Sequence, residues 1–329
     1  MADAAASSSI RALHLYDCAD VGRTIVGAAR SSGHPWRHLP LRETRTGRSG
    51  VVGGGLDKVR AANWLMRRRA EFALAEVVHV HYGARVGVMR TRPRRPYAVH
   101  LHGTDIRVQY PDPRFHDEMQ RGLDRAGAVI FATPDLAPLA ERARHDAVYV
   151  PNPVDVAGLP PWRPDARPTV VFASRWSASK GGQAQLDLAR SLVRAAPGAR
   201  FQGLDWGERA QDAREFGVQL QPRMPRDQYL AWLASASAVI GQSTGLLGMS
   251  ELQAVALGVP VVMPLDASVD QGDPPVMSGN EADLVDATRE TLAHPQRTSE
   301  RLAGRDWALR ERSPDRAVEQ LAGIYRNFR

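Results

Sequence analysis

The sequence predicts an α/β protein with two doubly wound domains of about equal size. Short apolar runs alternate with amphipathic helical segments along most of the 329 residues, the pattern of parallel strands connected by helices. Several runs are apolar without alternation, as expected for strands that are covered on both faces. A proline-dense segment from Pro151 to Pro168 interrupts the pattern once. Because proline is excluded from central strands and helix interiors, this segment predicts the linker between the domains.

The elements follow in order from these patterns. Apolar runs predict strands in the first half at residues 11–16, 36–39, 77–81, 97–101, 128–132 and 147–150, and in the second half at 169–173, 200–204, 218–220, 238–241 and 259–263. Helical periodicity is clearest at residues 57–72, 183–195, 226–236, 248–257 and 313–328. The glycine-rich residues 50–55 predict a flexible loop. The predicted domains are 1–157 and 158–312, followed by a closing helical segment, 313–329.

The composition excludes several classes of protein. A hydrophobic content of 43% is sufficient for a full core, which excludes a disordered or collagen-like chain. The single cysteine, Cys18, excludes a disulfide framework and any multi-cysteine metal site. Residues 1–9 lack the features of a signal peptide, and no apolar stretch approaches the roughly 18 residues of a membrane helix. We therefore expect a cytoplasmic protein.

The positive charge comes almost entirely from arginine. The formal net charge is +7, and only Lys58 and Lys180 among the 43 basic residues are lysines. Such a bias indicates a coding preference, so it weakens any argument from basic patches toward nucleic acid. The densest runs, at residues 67–69 and 90–95, are typical of a solvated surface. They leave open a peripheral contact of the first domain with an anionic membrane.

The segment FASRWSASKGG, residues 172–182, predicts a strand, a loop of small residues and a helix start. Arg175 and Lys180 lie five residues apart in this loop, so both side chains can reach the space above the strand end. Two fixed cations there can neutralise a diphosphate without a metal ion. The alternative is a surface arginine and lysine beside a turn. The rarity of lysine in this chain favours a functional role for Lys180.

Residues 241–262 predict a strand, a polar glycine-containing loop, a helix and a further strand. The helix start near Leu246 and Leu247 would direct backbone amides at an anion. Glu251 falls one turn inside a helix that is otherwise apolar. An unpaired carboxylate is costly there, and ribose hydroxyls could serve as hydrogen-bond donors to it. The alternative is a partly exposed glutamate paired with an arginine.

The sequence resembles the retaining GT-B glycosyltransferases, especially those of family 4, over nearly its whole length. Five segments in order carry the resemblance: VVHVHYG at 77–83, HGTD at 102–105, PNPVD at 151–155, the loop from Arg175 to Gly181, and residues 243–262. It implies two Rossmann-like domains that face a central cleft. The first would bind the acceptor, the second would bind a nucleotide-sugar donor, and the closing helix would cross back to the first domain.

The resemblance also implies roles for individual residues. Arg175 and Lys180 would hold the diphosphate, and Glu251 the ribose. Loops around Trp206 and Met224 would border the nucleobase. Further donor contacts fall on Gly22, Ser174, Ser243, Thr244, Gly245, Leu246 and Leu247. The acceptor would contact His102, Gly103, Thr104 and Asp105. His102, Arg175 and Lys180 would be the catalytic residues.

Ser243 departs from the family pattern, and Asp105 has more than one possible role. The family usually carries two glutamates separated by seven residues, and the first of them falls here on Ser243, which is shorter and uncharged. Asp105 has two equally supported roles, since it can orient an acceptor hydroxyl or cap the following turn.

Four histidines repeat with a spacing of two on neighbouring predicted strands: His79, His81, His100 and His102. Alternate strand residues share a face, so these imidazoles could bind a metal. Packing or hydrogen bonding is the preferred interpretation for the first three. No Asp-x-Asp triplet occurs in the sequence, so we expect no metal site and no cofactor beyond the nucleotide-sugar.

These observations predict a metal-independent glycosyltransferase that moves a sugar to a hydroxyl or amine acceptor. The resemblance implies retention of configuration at the anomeric carbon. A nucleotide-sugar epimerase or hydrolase of the same fold is one alternative. A non-catalytic relative that binds nucleotide or glycan is another, and nucleic acid is a disfavoured partner.

Overall fold

The computed structural model describes residues 10–40 and 51–328. The chain divides into two compact units. Unit 1 contains the chain up to Pro153 and the segment that begins at Pro314, and unit 2 is Val154–Ser313. The boundary at Pro153 lies four residues before the predicted one, because Val154, Val156 and Leu159 pack into the hydrophobic core of unit 2.

The described residues contain eleven strands and twelve α-helices. The strands are β1 Ala12–Leu15, β2 Arg37–Leu39, β3 Val77–His81, β4 Tyr97–Leu101, β5 Ala128–Phe131, β6 Val148–Tyr149, β7 Thr169–Phe172, β8 Arg200–Leu204, β9 Gln219–Gln221, β10 Ala238–Ile240 and β11 Val261–Val262. The helices are α1 Val21–Ser31, α2 Val51–Leu74, α3 Pro113–Arg125, α4 Ala137–Ala143, α5 Gly182–Ala195, α6 Ala210–Glu215, α7 Arg226–Ala234, α8 Met249–Leu257, α9 Glu281–Ala293, α10 Pro295–Leu302, α11 Gly304–Glu311 and α12 Pro314–Arg326.

Each unit is built on one parallel sheet. The strand order is β2-β1-β3-β4-β5-β6 in unit 1 and β11-β10-β7-β8-β9 in unit 2, and every strand pair is parallel. The order reverses between β1 and β3 in unit 1 and between β7 and β10 in unit 2. Open α/β sheets bind ligands beyond the carboxyl ends of the strands at such a reversal. The predicted fold class is confirmed.

The two faces of the sheet in unit 1 differ in chemistry. One face is aliphatic and includes Leu13, Val78 and Val99 in a single hydrophobic core. The opposite face carries His14, His79 and further histidines, because strand residues alternate between faces. Helices α1 and α12 pack against each other, and both contact this histidine face. The last helix of the described chain is therefore part of the first unit.

One element differs from its prediction. Residues 50–55 were expected to form a loop, but Val51–Gly55 belong to α2, and Gly50 lies outside the described residues. Glycine has low helix propensity. Adding residues to a helix that has already nucleated costs far less than starting one, so the amphipathic residues 57–72 can extend the helix through this segment.

Candidate functional site

The loops that follow β7 and β10 are joined to each other at the strand-order reversal of unit 2. The Lys180 Nζ donates to Gln242 Oε1 at 2.9 Å, and the Ser243 amide donates to the Lys180 carbonyl at 2.9 Å. Gly181 has a φ of +114°, and a Cβ at this position would lie 2.5 Å from the Ser243 Cβ. The close approach of the two loops therefore requires glycine at 181.

Glu251 lies at the centre of this arrangement, in the first turn of α8, and is 1% exposed. Its Oε1 accepts hydrogen bonds from the Ser174 hydroxyl at 2.7 Å and from the Gln242 backbone amide at 3.0 Å. Its Oε2 has no hydrogen-bond partner in the described part of the chain. A buried carboxylate oxygen without a donor is costly, so this position fits a ligand that brings hydroxyl groups.

Two neighbouring hydroxyls are also buried without a partner among the described residues, the Ser243 Oγ and the Thr244 Oγ1. With Glu251 Oε2 they form a group of unsatisfied polar atoms within nine residues of sequence. Native structures contain few such atoms. Their grouping beside Lys180 and Gln242 marks this edge of the sheet as a polar ligand site.

Arg175 projects from the loop after β7 toward the loop after β8. Its guanidinium donates to Ser177 Oγ at 3.2 Å and to Ser179 Oγ at 3.0 Å. The guanidinium carbon lies 5.4 Å from the centre of the Trp206 ring, and that of Arg223 lies 4.5 Å from it. Trp206 is 41% exposed, and Met224 nearby in the sequence is half-buried. Such a ring, fixed by cations, offers an accessible surface for a planar base.

The structure corrects the predicted role of one of the amides from Gly245 to Leu247, that of Leu247. Helix α8 begins at Met249, and the Leu247 amide donates to Gln271 Oε1 at 2.8 Å. The Gln271 Nε2 donates to the Gly245 carbonyl at 2.8 Å. The buried Gln271 side chain therefore holds this loop, and the Leu247 amide is occupied by the protein itself.

The sequence reasoning missed Gln242 and Gln271. Gln242 follows β10 directly, a position that could have marked it as a site residue. Gln271 lies 24 residues after Leu247, and no local pattern connects them.

In unit 1, Asp105 is buried with 0% exposure and accepts hydrogen bonds from four backbone amides. The donors are Gly83 at 2.8 Å, Gly103 at 2.8 Å, Ile106 at 3.0 Å and His102 at 3.1 Å. Burial raises the pKa of this carboxyl, and the four amides oppose that shift. The turn-holding role is therefore the correct one for Asp105. The Gly103 amide is likewise engaged within the protein, whereas Thr104 is exposed.

We expect Asp105→Asn to lower the free energy of unfolding by about 3 kcal/mol, because an amide supplies one acceptor oxygen in place of two and adds an unmatched donor. Urea denaturation followed by circular dichroism measures this loss. The exposed Asp117 on α3 gives the control, since Asp117→Asn should change stability by less than about 0.5 kcal/mol. Equal stability of the two variants would contradict the assigned role.

Gly22, which was predicted to admit a donor ligand, packs closely within unit 1. It lies in α1, where a Cβ would stand 3.0 Å from His81 Nε2 and 3.3 Å from His38 Nε2. The missing side chain makes room for these two rings. Its amide donates to Asp17 Oδ1 at 2.9 Å. The structure thus gives Gly22 a packing role.

A chain of hydrogen-bonded rings crosses the histidine face of unit 1. His14 pairs in register with His79, and His81 with His100, so the side chains lie side by side. We call this group the histidine array; its members in bonding order are His100, His79, Tyr325, His14, His81 and His102. The contacts are His100 Nδ1 to His79 Nε2 at 3.1 Å, His79 Nδ1 to Tyr325 Oη at 2.6 Å, Tyr325 Oη to His14 Nε2 at 3.2 Å, His14 Nδ1 to His81 Nε2 at 3.0 Å, and His81 Nδ1 to His102 Nε2 at 3.0 Å.

The environment of the array keeps its imidazoles neutral. Burial lowers the pKa of His14 and of His102 to about 3. The pKa values of the other three histidines fall well below the ordinary value through burial and the proximity of further imidazoles. Four of the histidines are 0% exposed, and His102, at the end of β4, is half-buried. The sequence did not predict that His14 and Tyr325 belong to this array. Tyr325 is 246 residues from His79, so no local pattern connects the two.

Two subsets of the array place one ring nitrogen from each of three histidines within 4.8 Å of one another: His14, His79 and His81, and His81, His100 and His102. Neutral imidazole is the form that binds zinc. The rings stack, however, with His14 and His79 only 6° from parallel at 4.5 Å. Stacked rings direct their nitrogens side by side, whereas a metal requires nitrogens that converge on one point.

A cavity of unit 1 lies beside the first residue of β4. It has a volume of about 720 Å³ and is bordered by five arginines, Arg90, Arg94, Arg95, Arg121 and Arg125, with Glu118 as the acidic residue among its lining. This is the basic surface anticipated from residues 90–95. Among the described helices, none has the length and apolar character needed to cross a membrane.

Comparison with known proteins gives a likeness of structure rather than of sequence. No family model matches the chain, and no curated protein matches it significantly by sequence. AviGT4, a glycosyltransferase of avilamycin A biosynthesis, superposes with a TM-score of 0.60 at 18% identity over 96% of this chain and 97% of its own. HepE of Anabaena, solved with UDP and glucose, gives a TM-score of 0.65 at 14% identity over 96% and 99%.

The chain has the GT-B fold. TarM of S. aureus, solved with fondaparinux, α-GlcNAc-glycerol and UDP, also resembles it, with a TM-score of 0.59 at 13% identity over 76% of this chain. The present GT-B chain spans about half of TarM, since the match covers 55% of that protein.

The predicted site residues of this GT-B chain divide between the units. In unit 2, Gln242 joins Lys180 to Glu251, and Glu251 also bonds to Ser174. Arg175 lies beside the Trp206 ring. Unit 1 holds Gly22, His102, Gly103, Thr104 and Asp105. Of these five, His102 and Thr104 keep side chains at or near the surface.

Proposed function

We propose that this protein is a glycosyltransferase whose second unit binds a nucleotide-sugar. The observation that carries the proposal is the buried Glu251, whose Oε2 has no donor in the described structure while Oε1 is fixed by Ser174 and Gln242. The two ribose hydroxyls of a nucleotide are donors of the required kind. The GT-B fold and the UDP bound in the HepE and TarM structures support this assignment.

The surrounding residues supply the other parts of a nucleotide site. Trp206, whose ring lies close to the guanidinium groups of Arg175 and Arg223, would lie against the base. Lys180 and Arg175 would bind the diphosphate and stabilise the negative charge that develops as the glycosidic bond breaks. Ser243 Oγ and Thr244 Oγ1 would bond to the sugar or the phosphate.

We further propose retention of configuration without a bound metal ion or cofactor. The acceptor would attack from the side of the leaving group, and the departing phosphate oxygen would take the acceptor proton. The guanidinium group of Arg175 and the ammonium group of Lys180 would neutralise the charge of the diphosphate, as a metal ion does in other transferases. His102 and Thr104 in unit 1 would bind the acceptor.

Binding of UDP by isothermal titration calorimetry tests this proposal. We expect Glu251→Gln to weaken UDP binding roughly 10- to 100-fold, because the amide loses acceptor capacity and charge at a buried site, a loss of about 1–3 kcal/mol. The exposed Glu300 on α10 provides a matched control, Glu300→Gln. Absence of UDP, GDP, ADP and dTDP binding to the unaltered protein would refute the nucleotide site.

A further inference from the structure

Unit 1 has a basic cavity at the amino end of β4. Its lining includes Tyr97, the first residue of β4, whereas His102 follows the last residue of that strand. A strand of five residues spans about 15 Å, so the cavity lies at the other end of the strand from the predicted acceptor residues. We call it the arginine cavity; its basic members are Arg90, Arg94, Arg95, Arg121 and Arg125.

Buried side chains form the base of the arginine cavity, and charged ones form its rim. Val86, Met89 and Tyr97 line it and are at most 9% exposed. The Tyr97 hydroxyl donates to the Gly122 carbonyl at 2.7 Å, which joins the start of β4 to α3. Arg95 is half-buried, and the other four arginines are exposed. The cavity thus has a shape set by the packing of β4 and α3, and a cationic border.

Two of the five arginines are engaged by the protein itself. Arg90 Nη1 pairs with Glu118 Oε1 at 3.0 Å. Arg95 donates from Nε to the Phe72 carbonyl at 3.0 Å and from Nη2 to the Ala73 carbonyl at 3.1 Å. These carbonyls belong to the last turn of α2, where cations are favourable. Both arginines therefore have a structural role.

The other three arginines, Arg94, Arg121 and Arg125, form no ion pair within the described part of the chain. Arg121 and Arg125 are four residues apart on α3, so their like charges share one face of the helix and repel each other. Glu118, the acidic residue among the lining, is already paired with Arg90. Five guanidinium groups against one carboxylate leave a formal excess of four positive charges, and a bound anion would relieve the repulsion.

The coding preference of the chain explains the choice of arginine over lysine, but it does not explain why these residues surround one cavity. A second cavity, of about 540 Å³, shares Arg94 with the first and is also lined by Arg69 and Arg92. None of the described residues that line this second cavity is acidic. The positive charge therefore continues from α3 past the segment before β4 to the end of α2.

The chemistry of the rim selects a class of ligand. Guanidinium groups bind phosphate through paired hydrogen bonds. A phosphate monoester carries a charge of about −1.5 to −2 at pH 7, so two phosphate groups are needed to balance the excess. The cavity volume of about 720 Å³ is within the range of small-molecule sites, about 300–1,000 Å³.

A membrane surface fits the arginine cavity less well than a dissolved molecule. The large apolar side chains that are exposed in the described structure all lie outside its lining. A protein that rests on a bilayer buries exposed apolar side chains in it, in addition to its contacts with anionic lipid. The concave arrangement of arginines over a buried base is instead the form of a site for a small ligand.

We propose that the arginine cavity binds a soluble ligand that carries two or more phosphate groups. Arg94, Arg121 and Arg125 contact the phosphates, because their guanidinium groups are the ones that the protein leaves without an ion pair in the described residues. The site is formed by other residues than the nucleotide site of unit 2, and it does not rest on the proposed function.

Isothermal titration of the full chain with inorganic pyrophosphate, at about 0.15 M salt and with saturating UDP present to fill a nucleotide site, tests the proposal. We expect one equivalent to bind. The double variant Arg121→Gln/Arg125→Gln should weaken binding about 10- to 100-fold, since it removes charged hydrogen-bond donors. Glutamine is also a good helix former, so α3 should persist.

The matched control is Arg60→Gln/Arg67→Gln. These two exposed arginines lie seven residues apart on α2 and line neither cavity. Their loss changes the net charge equally and should leave pyrophosphate binding within about twofold, because exposed charges are screened by salt. Arg94→Gln, in the segment before β4, provides a second variant if circular dichroism shows that the change in α3 disturbs the fold.

Three outcomes overturn the proposal: no binding of pyrophosphate by the unaltered protein, equal losses in the two double variants, or binding to phosphatidylglycerol vesicles without binding of pyrophosphate. The second would show an effect of net charge alone, and the third would make the cavity a membrane contact. UDP binding is measured in its own titration. If it fails, the dependence of pyrophosphate binding on Arg121 and Arg125 still locates the site in unit 1.

Discussion

The free energy of unfolding should fall by about 7 kcal/mol between pH 7.5 and pH 5.5, with five buried or half-buried histidines each contributing about 1.4 kcal/mol per pH unit below their unfolded pKa. The five are His14, His79, His81, His100 and His102, all with lowered pKa values. In the native state they bind no proton at pH 5.5, whereas in the unfolded chain each binds one. Unfolding therefore takes up protons and becomes more favourable as the pH falls through about 6.5.

Urea denaturation at half-unit pH intervals measures this dependence, and the slope gives the number of protons taken up. The exposed His145 provides the comparison, because His145→Gln should leave the slope unchanged, while a folded His79→Gln variant should reduce it by about one proton. A loss as large as the expected one is a substantial part of the stability of an ordinary domain. A flat stability profile from pH 7.5 to 5.5 would show that these imidazoles are not buried in the neutral form.

Lys180→Ala should lower the turnover of a nucleotide-sugar by about 100- to 1000-fold, the range seen when one preorganised charge at a transition state is removed. The ammonium group lies at the strand-order reversal of unit 2, fixed by Gln242, where the diphosphate of the proposed donor would carry the developing charge. The half-buried side chain adds little to the core, so the fold should survive. Steady-state release of the nucleoside diphosphate measures the effect.

The chain supplies its own control for this experiment, because Lys58 is its only other lysine and is exposed on α2. Lys58→Ala removes the same charge from the protein and should leave turnover within about twofold, since salt screens the charge of an exposed side chain over a Debye length of about 8 Å. Near-normal turnover in Lys180→Ala, with retained stability, would remove Lys180 from the mechanism. Equal losses in both variants would indicate an effect of net charge alone.

The sequence predicted the strands well because the parallel sheets are built from short continuous apolar runs. The bounds of β3, β4 and β8 agree with their predictions to the residue. The start of α2 was missed because local glycine content outweighed the periodicity downstream. The packing of residues 154–159 into unit 2 was missed because proline-rich sequence carries no period that reveals which side chains are buried.

Part of the candidate site could be predicted because its residues follow strand ends. Lys180 was selected in this way, Glu251 from its place on an apolar helix, and Ser174 from the family resemblance. In the structure Gln242 bonds to both Lys180 and Glu251, and Glu251 also accepts from Ser174. Gln271 could not be found, since it reaches the loop at Gly245 from a distant segment. The structural role of Asp105 could not be decided from sequence, because its four amide donors become visible only when the turn is folded.

The place of α12 has a consequence for the order in which this protein can mature on the ribosome. Unit 1 is discontinuous, because all of Val154–Ser313 is synthesised before Pro314–Arg326. The whole sequence of unit 2 thus leaves the exit tunnel before Tyr325 can reach His14 and His79. Domains commonly fold as units in order of synthesis. Here the first unit to begin is the last to be completed. Until α12 has been synthesised, the histidine face of the sheet in unit 1 lacks the helix that packs against it in the folded protein.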